Sequence, residues 1–180
     1  MSVKNFIIES LETIVVSIVV ISIIYSTVAS IEVVLGSSME PNFHTNQRIL
    51  VEHITRYFKP FVRGEVVVIN PPGEDKHFIK RIVGLPGDIF KIKDCKVQIS
   101  RDGKKYDLQE PYLDKSLCTL GGYSILEGRG IRLNDNEYIV LGDNRPLSVD
   151  SRSFGVIGKE RIIGRVIFRF WPLDKIGFTK

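Results

Sequence analysis

Ser38, in the segment Leu35-Gly36-Ser37-Ser38-Met39-Glu40-Pro41, is the residue in this chain best placed to act as a nucleophile. A serine hydroxyl attacks poorly until a neighbouring base takes its proton, so the rest of the sequence must supply that base. His44, His53 and His77 sit in polar or charged surroundings without a matching Asp motif, and each reads as a surface residue. Lysine can serve instead when burial keeps it neutral near neutral pH. Lys80 is the candidate, because it lies inside Phe78-Ile79-Lys80-Arg81-Ile82-Val83. Strand alternation sends Lys80 and Arg81 to opposite faces, so one of the two faces inward or lies at an edge. Alternation alone equally allows both side chains to snorkel to water. The sequence contains no phosphate loop, H-E-x-x-H or dinucleotide fingerprint, and Ser/Lys chemistry requires no metal and no cofactor.

The elements that must position this pair begin with a charge-free run from Thr13 to Ile31. A helix of that length nearly covers a hydrocarbon core of roughly 30 Å, which predicts one transmembrane anchor over residues 13–31. It would follow a short segment, 1–12, and precede a single domain at 32–180. A cleavable signal peptide is the competing reading, since Thr27-Val28-Ala29 offers an A-x-A-like pattern near the end of the run. The run exceeds the usual apolar core of such peptides, roughly 7–15 residues, and Glu9 and Glu12 stand beside Lys4 on its entry side. Positive charge near the span is too sparse to orient it, with Lys4 before and Arg48 after.

Beyond the run the pattern becomes strand-like. Segments 48–51, 65–69, 77–83, 89–92, 137–141 and 163–168 are short, β-branched and bounded by Gly, Pro, Asp or Asn, which predicts an all-β domain. Between Asp94 and Arg132 apolar runs thin out, with Asp102-Gly103 reading as a turn and Gly121-Gly122 as a flexible loop. That region reads as an elaboration on the β core. Cys95 and Cys118 fit neither a C-x-x-C redox site nor zinc spacing, and a disulfide between them is plausible if the domain is extracytoplasmic. The net charge of +4 comes from scattered Lys and Arg without a basic stripe, so no nucleic-acid partner is implied. Tyr57-Phe58-Lys59-Pro60-Phe61 mixes aromatics with a cation and reads as a lipid-facing loop, whereas Phe168-Arg169-Phe170-Trp171 alternates like a strand.

Three separated segments, in order, resemble the signature boxes of type I signal peptidases. They are Gly36-Ser37-Ser38-Met39-Glu40-Pro41, then Phe78 through Asp88, then Gly142-Asp143-Asn144-Arg145-Pro146-Leu147-Ser148-Val149-Asp150-Ser151-Arg152-Ser153-Phe154-Gly155. The resemblance implies a mainly β fold, an antiparallel β-sheet catalytic domain preceded by one N-terminal transmembrane helix. It implies a membrane-bound serine endopeptidase that removes signal peptides after an Ala-x-Ala-like motif, and the compact middle region resembles the Gram-positive-type branch. Its partners would be secretory preproteins, the lipid bilayer and, in association, the export translocase. The N-terminus would be cytoplasmic and the catalytic domain extracytoplasmic.

Carried over residue by residue, the resemblance makes Ser38 the nucleophile and Lys80 the general base. Ser148 would hold Lys80 by a hydrogen bond, and Asp150 with Arg152 would brace the loop bearing Ser148, unless they form an ordinary surface pair. The Ser38 backbone N–H would be the surest oxyanion donor, because Gly36 stands where some members carry a serine. Val34, Met39 and Ile79 would line shallow pockets for small side chains, although each could equally be plain core. A membrane-tethered module that binds without cleaving is the alternative from another class, and the presence of both Ser38 and Lys80 argues against it.

Overall fold

The computed structural model describes residues 3–114 and 116–179. Its first element is helix α1, Val3–Val28, in which Lys4–Ile23 is long and apolar enough to cross a membrane and is not buried against the rest of the chain. Three of its hydroxyls bond back along the helix: Thr13 Oγ1 donates to the Glu9 carbonyl at 2.8 Å, Ser17 Oγ to the Thr13 carbonyl at 2.7 Å and Thr27 Oγ1 to the Ile23 carbonyl at 2.8 Å. Such back-bonding lowers the cost of placing those hydroxyls in an apolar medium. The helix begins well before the charge-free run and stops short of its end. Residues 29–31, read as part of the span, instead open strand β1, Ala29–Val33, where Ala29, Ser30 and Ile31 pair with Glu52, Val51 and Leu50. Helical continuation would have left that strand without its neighbour.

The remaining elements are β2 (Arg48–Glu52), α2 (Thr55–Phe58), β3 (Val66–Ile69), β4 (Phe78–Gly84), β5 (Ile89–Lys93), β6 (Lys96–Arg101) and β7 (Lys104–Asp107). They continue with β8 (Ile131–Arg132), β9 (Glu137–Leu141), α3 (Ser151–Phe154), β10 (Ile157–Gly158), β11 (Ile162–Trp171) and β12 (Gly177–Phe178). Eight strands form one antiparallel sheet in the order β1-β2-β11-β3-β4-β9-β10, with β12 on β11, and four form a second in the order β7-β6-β5-β8. The second sheet occupies the predicted elaboration. Its hairpins turn through residues with positive φ, Asp94-Cys95 (53° and 64°) and Asp102-Gly103 (50° and 74°), as two-residue turns matched to strand twist require. Cys95 and Cys118 are disulfide-bonded, tying the first of these turns to the loop after β7. Gly121-Gly122 is tightly packed rather than loose. A Cβ on Gly122 would lie 2.5 Å from the Arg152 carbonyl oxygen, so glycine there permits a close backbone approach.

Two core clusters meet across β3. Val66 and Val68 pack with Val34, Met39, Phe43, Ile49 and Val51, whereas Val67 and Ile69 pack with Phe61, Ile82, Tyr138 and Val140. Burial on both faces explains why Val66-Val67-Val68-Ile69 is an unbroken apolar run instead of an alternating one. Strand β4 pairs with β3 and β9 and is covered in the same way, so Lys80 and Arg81 point to opposite faces yet each is only 2% exposed. Arg81 is neutralised at once: its Nε and Nη2 donate to Asp143 Oδ1 and Oδ2 at 2.8 and 2.7 Å, and its Nη1 to the Gly64 carbonyl at 2.7 Å. The Tyr112 ring lies 4.1 Å from its guanidinium carbon.

Removing one partner of a buried, bidentate pair strands the other charge. Asp143→Ala should therefore lower the unfolding free energy by about 3–5 kcal/mol in urea titrations. Truncating Asp94, the exposed partner of Lys93, to alanine should move the midpoint far less.

Candidate active site

The segment carrying Ser38 leaves β1 as extended chain and turns at Gly36, whose φ of 84° suits a residue without a Cβ. Two buried side chains anchor the segment beyond this turn. Met39 and Phe43 are 1% and 4% exposed, and the Phe43 N–H donates to the Met39 carbonyl at 2.9 Å, closing a tight turn directly after Ser38. Val34 N–H donates to the Gln47 carbonyl and Asn46 N–H to the Val34 carbonyl, each at 2.9 Å, which returns the chain to β2. The Ser38 carbonyl accepts from the Asn144 N–H at 3.0 Å, and the Ser37 carbonyl from Asn144 Nδ2 at 3.1 Å. The backbone of Ser38 is thereby fixed to the 142–152 loop through Asn144. Among the described residues no acceptor takes the Ser38 N–H.

Across the cleft, Lys80 Nζ lies 2.7 Å from Ser38 Oγ. Burial pushes the Lys80 ammonium down to about 8, against the opposing pull of the Asp150 and Asp143 carboxylates, with Arg152 adding a smaller push downward. A substantial fraction of Lys80 is then neutral near physiological pH. In that form its lone pair can accept the Ser38 proton, which is what the chemistry of a serine nucleophile demands. None of the three histidines is hydrogen-bonded to Ser38 among the described residues. His53 is part-buried rather than at the surface, with its ring nitrogens 3.2 Å from the Ile163 carbonyl and 3.0 Å from Ser30 Oγ.

Ser148 departs from the sequence expectation. Its Oγ is buried and makes no hydrogen bond, and the nitrogen of Lys80 is paired with Ser38 instead. That hydroxyl lies against Gly142, where an added Cβ would come within 2.2 Å of Ser148 Oγ and 2.5 Å of the Ser38 carbonyl oxygen. Asp150 and Arg152 are far from an ordinary surface pair. They are 0% and 8% exposed, and Arg152 Nε and Nη2 grip Asp150 Oδ1 and Oδ2, each at 2.8 Å. Asp150 also accepts the Gly142 N–H at 3.0 Å, and Arg152 Nη2 donates to the Arg145 carbonyl at 2.6 Å. The pair thus closes the loop on which Ser148 sits.

Val34, Met39 and Ile79 belong to one apolar cluster and also line the cleft that holds Ser38 and Lys80, a hollow of about 610 Å³. Core residue and pocket wall are here the same thing. A larger hollow, about 1120 Å³, lies on the Arg81 side of β4 and includes neither Ser38 nor Lys80.

Sequence reasoning overlooked three contributors. Asn144 holds the backbone on both sides of the Ser37–Ser38 peptide, and only its place in the Gly-Asp-Asn run hinted at it. Asn42 donates from Nδ2 to Asp143 Oδ2 and to the Tyr112 carbonyl, both at 2.8 Å. Arg145, 2% exposed, is paired with Glu110 and hydrogen-bonded to Thr119, which fastens the 142–152 loop to the disulfide-tied segment. The signal for that last contact, an acidic residue in a region of low apolar content, is too weak to find in advance.

The chain is 37% identical to signal peptidase I of Bacillus amyloliquefaciens over 98% of its own length and 95% of that protein's. It is likewise 37% identical to signal peptidase I S of Bacillus subtilis (strain 168), with the same coverage. A solved signal peptidase I from Enterococcus faecalis is 25% identical and superposes with a TM-score of 0.49, covering 60% of this chain and 97% of the other. The family described as signal peptidase, peptidase S26, matches residues 7–171, a stretch that holds both Ser38 and Lys80, and the chain belongs to that family.

Proposed function

We propose that this protein is a membrane-anchored serine endopeptidase that removes signal peptides from exported preproteins with a Ser38/Lys80 dyad. The observation that carries the reading is the 2.7 Å approach of a buried lysine, its ammonium depressed to about 8, to a serine hydroxyl in an apolar cleft. Neutral Lys80 Nζ takes the proton as Ser38 Oγ bonds to the scissile carbonyl carbon. The oxygen that gains negative charge accepts from the Ser38 N–H, and no serine stands at position 36 to add a second donor. Collapse breaks the C–N bond while Lys80 returns its proton to the leaving amine. Water, deprotonated by Lys80, then releases the acyl group from Ser38.

Ser148 is assigned as a positioning residue: its buried hydroxyl can accept a second Lys80 N–H once Ser38 is acylated and withdraws. Asp150 and Arg152 keep it in place. Val34, Met39 and Ile79 would admit small side chains on both sides of one intervening residue, consistent with cleavage after Ala-x-Ala. Extended substrate would add beside the chain at 32–36, whose strand β1 pairs, among the described residues, with β2 alone.

Membrane anchoring rests on α1. The His53 N–H donates to the Val28 carbonyl at 2.9 Å, which places α2 beside the end of that helix with Tyr57 and Phe58 67% and 81% exposed. Aromatics in that position suit the headgroup layer. With α1 spanning, the N-terminus on the cytoplasmic side and the β domain outside, the cleft would open where preproteins emerge from the translocase.

Purified protein should cleave a preprotein after Ala-x-Ala, and Ser38→Ala and Lys80→Ala should each lower kcat/KM by at least about 10³-fold, with the product N-terminus read by sequencing. Full activity in either variant would reject the dyad. Because the protonated lysine is the inactive form, kcat/KM should fall about tenfold per pH unit below about 8 and level off above it. A tryptophan placed by Phe58→Trp, in a Trp171→Phe background, should be quenched by lipids brominated near the headgroup. Quenching by aqueous iodide alone would put the loop in water.

A further inference from the structure

The cleft changes character along its length. Around Ser38 and Lys80 it is walled by Val34, Met39, Val68 and Ile79, but at its other end it is lined by Glu32, Asp75, Lys76 and His77. In β1 the exposed residues are Ile31 and Val33, so Glu32 and the buried Val34 share the face that looks into the cleft. Glu32 on one wall reaches His77 on the other, with Oε1 3.7 Å from Nδ1, and it also accepts from Ser30 Oγ at 3.4 Å. Both side chains keep substantial contact with water, 31% for Glu32 and 49% for His77. No part of the dyad chemistry uses this contact, which spans the space a substrate strand must traverse.

We propose that Glu32 is a specificity-determining residue, forming with His77 a charged subsite for a cationic side chain five residues before the scissile bond. The inference rests on the cleavage reading above, which fixes the register. If the third residue before the cut packs against Val34, one alternate step along an extended substrate, about 6.8 Å, brings the fifth residue to Glu32. A lysine or arginine there displaces His77 from the carboxylate and takes its place. A glutamate there meets a like charge. Asp75 and Lys76 face the same end with opposite signs and nearly cancel, leaving Glu32 to set the preference.

The test is a peptide series with Ala at the first and third positions before the cut and Lys, Ala or Glu at the fifth, cleaved by the full-length protein in detergent micelles. Because exposed charge pairs are weak, the wild type should favour Lys over Glu by about three- to fivefold in kcat/KM, carried by KM. Glu32→Lys should invert that order, with the Ala peptide changed less than either charged one. A merely structural role for Glu32 would lower all three peptides together, and an unchanged order in Glu32→Lys would overturn the proposal. Binding of the same peptides to Ser38→Ala, read by fluorescence anisotropy, should show the same ranking. Equal affinities there would overturn the subsite, whereas ranked binding without cleavage in the wild type would strike the protease reading and leave the subsite standing.

Discussion

Strand β4 buries two cations at consecutive positions, and most of the site depends on how each burial is offset. An ammonium or guanidinium taken out of water must be paired or must lose its charge. Arg81 cannot lose a proton in the accessible pH range, so it is met by the Asp143 carboxylate in a bidentate pair. Lys80 can, and no carboxylate hydrogen-bonds to its nitrogen among the described residues. Its environment shifts the balance toward the neutral amine, the form that can accept a proton. The difference between a cation held by a carboxylate and one whose proton affinity is lowered is thus a difference in the partner supplied on each face of a single strand.

The partners come from one loop. Asp143, Asn144, Arg145, Ser148, Asp150 and Arg152 lie within ten residues, and their side chains or amides reach β4, the Ser37–Ser38 peptide, Glu110 and one another. Asp143 holds Arg81, Asn144 holds the Ser37 and Ser38 carbonyls, and Asp150 is neutralised by Arg152. Both carboxylates also act on Lys80 at longer range and raise its affinity for the proton, so burial has to overcome them. The outcome is a lysine near 8 rather than one fully discharged at neutrality.

How much of this could be read from the chain depended on which physical signal each element left. Strands buried on both faces, such as Val66–Ile69, announced themselves as unbroken β-branched runs, and Asp102-Gly103 as a turn. Strand β6 alternates cleanly, with Val97 and Ile99 buried between Lys96, Gln98 and Ser100, yet it lay in a region read as an elaboration poor in apolar runs. The turn before it uses Asp94-Cys95 at positive φ, and neither residue is a glycine that would mark it. Strand β1 was hidden inside an apolar run, since a membrane helix and an edge strand draw on the same β-branched residues. Gly121-Gly122 carried the opposite ambiguity, because glycine marks close packing as readily as freedom. The union of Ser38 with Lys80, 42 residues apart, could not come from periodicity. Periodicity placed Lys80 opposite Arg81 but left open whether either was buried. Only the three-part likeness to a known family pointed across the fold.

Burying Lys80 also sets a cost that the rest of the fold must bear. The unfolded chain holds this proton up to its ordinary value of 10.5, whereas the folded chain releases it near 8. Between those limits the unfolded state binds more protons, so the contribution of this residue to stability rises with pH across that window and is constant on either side. Below it, the fold carries a buried ammonium whose nearest hydrogen-bond partner is a hydroxyl. An apolar residue of similar length would remove that penalty and leave the Ser38 hydroxyl without its amine neighbour. The instability is therefore located at the Ser38–Lys80 contact, and the paired cation on the other face of β4, with the braces of the 142–152 loop, supplies the rigidity that lets the fold tolerate it.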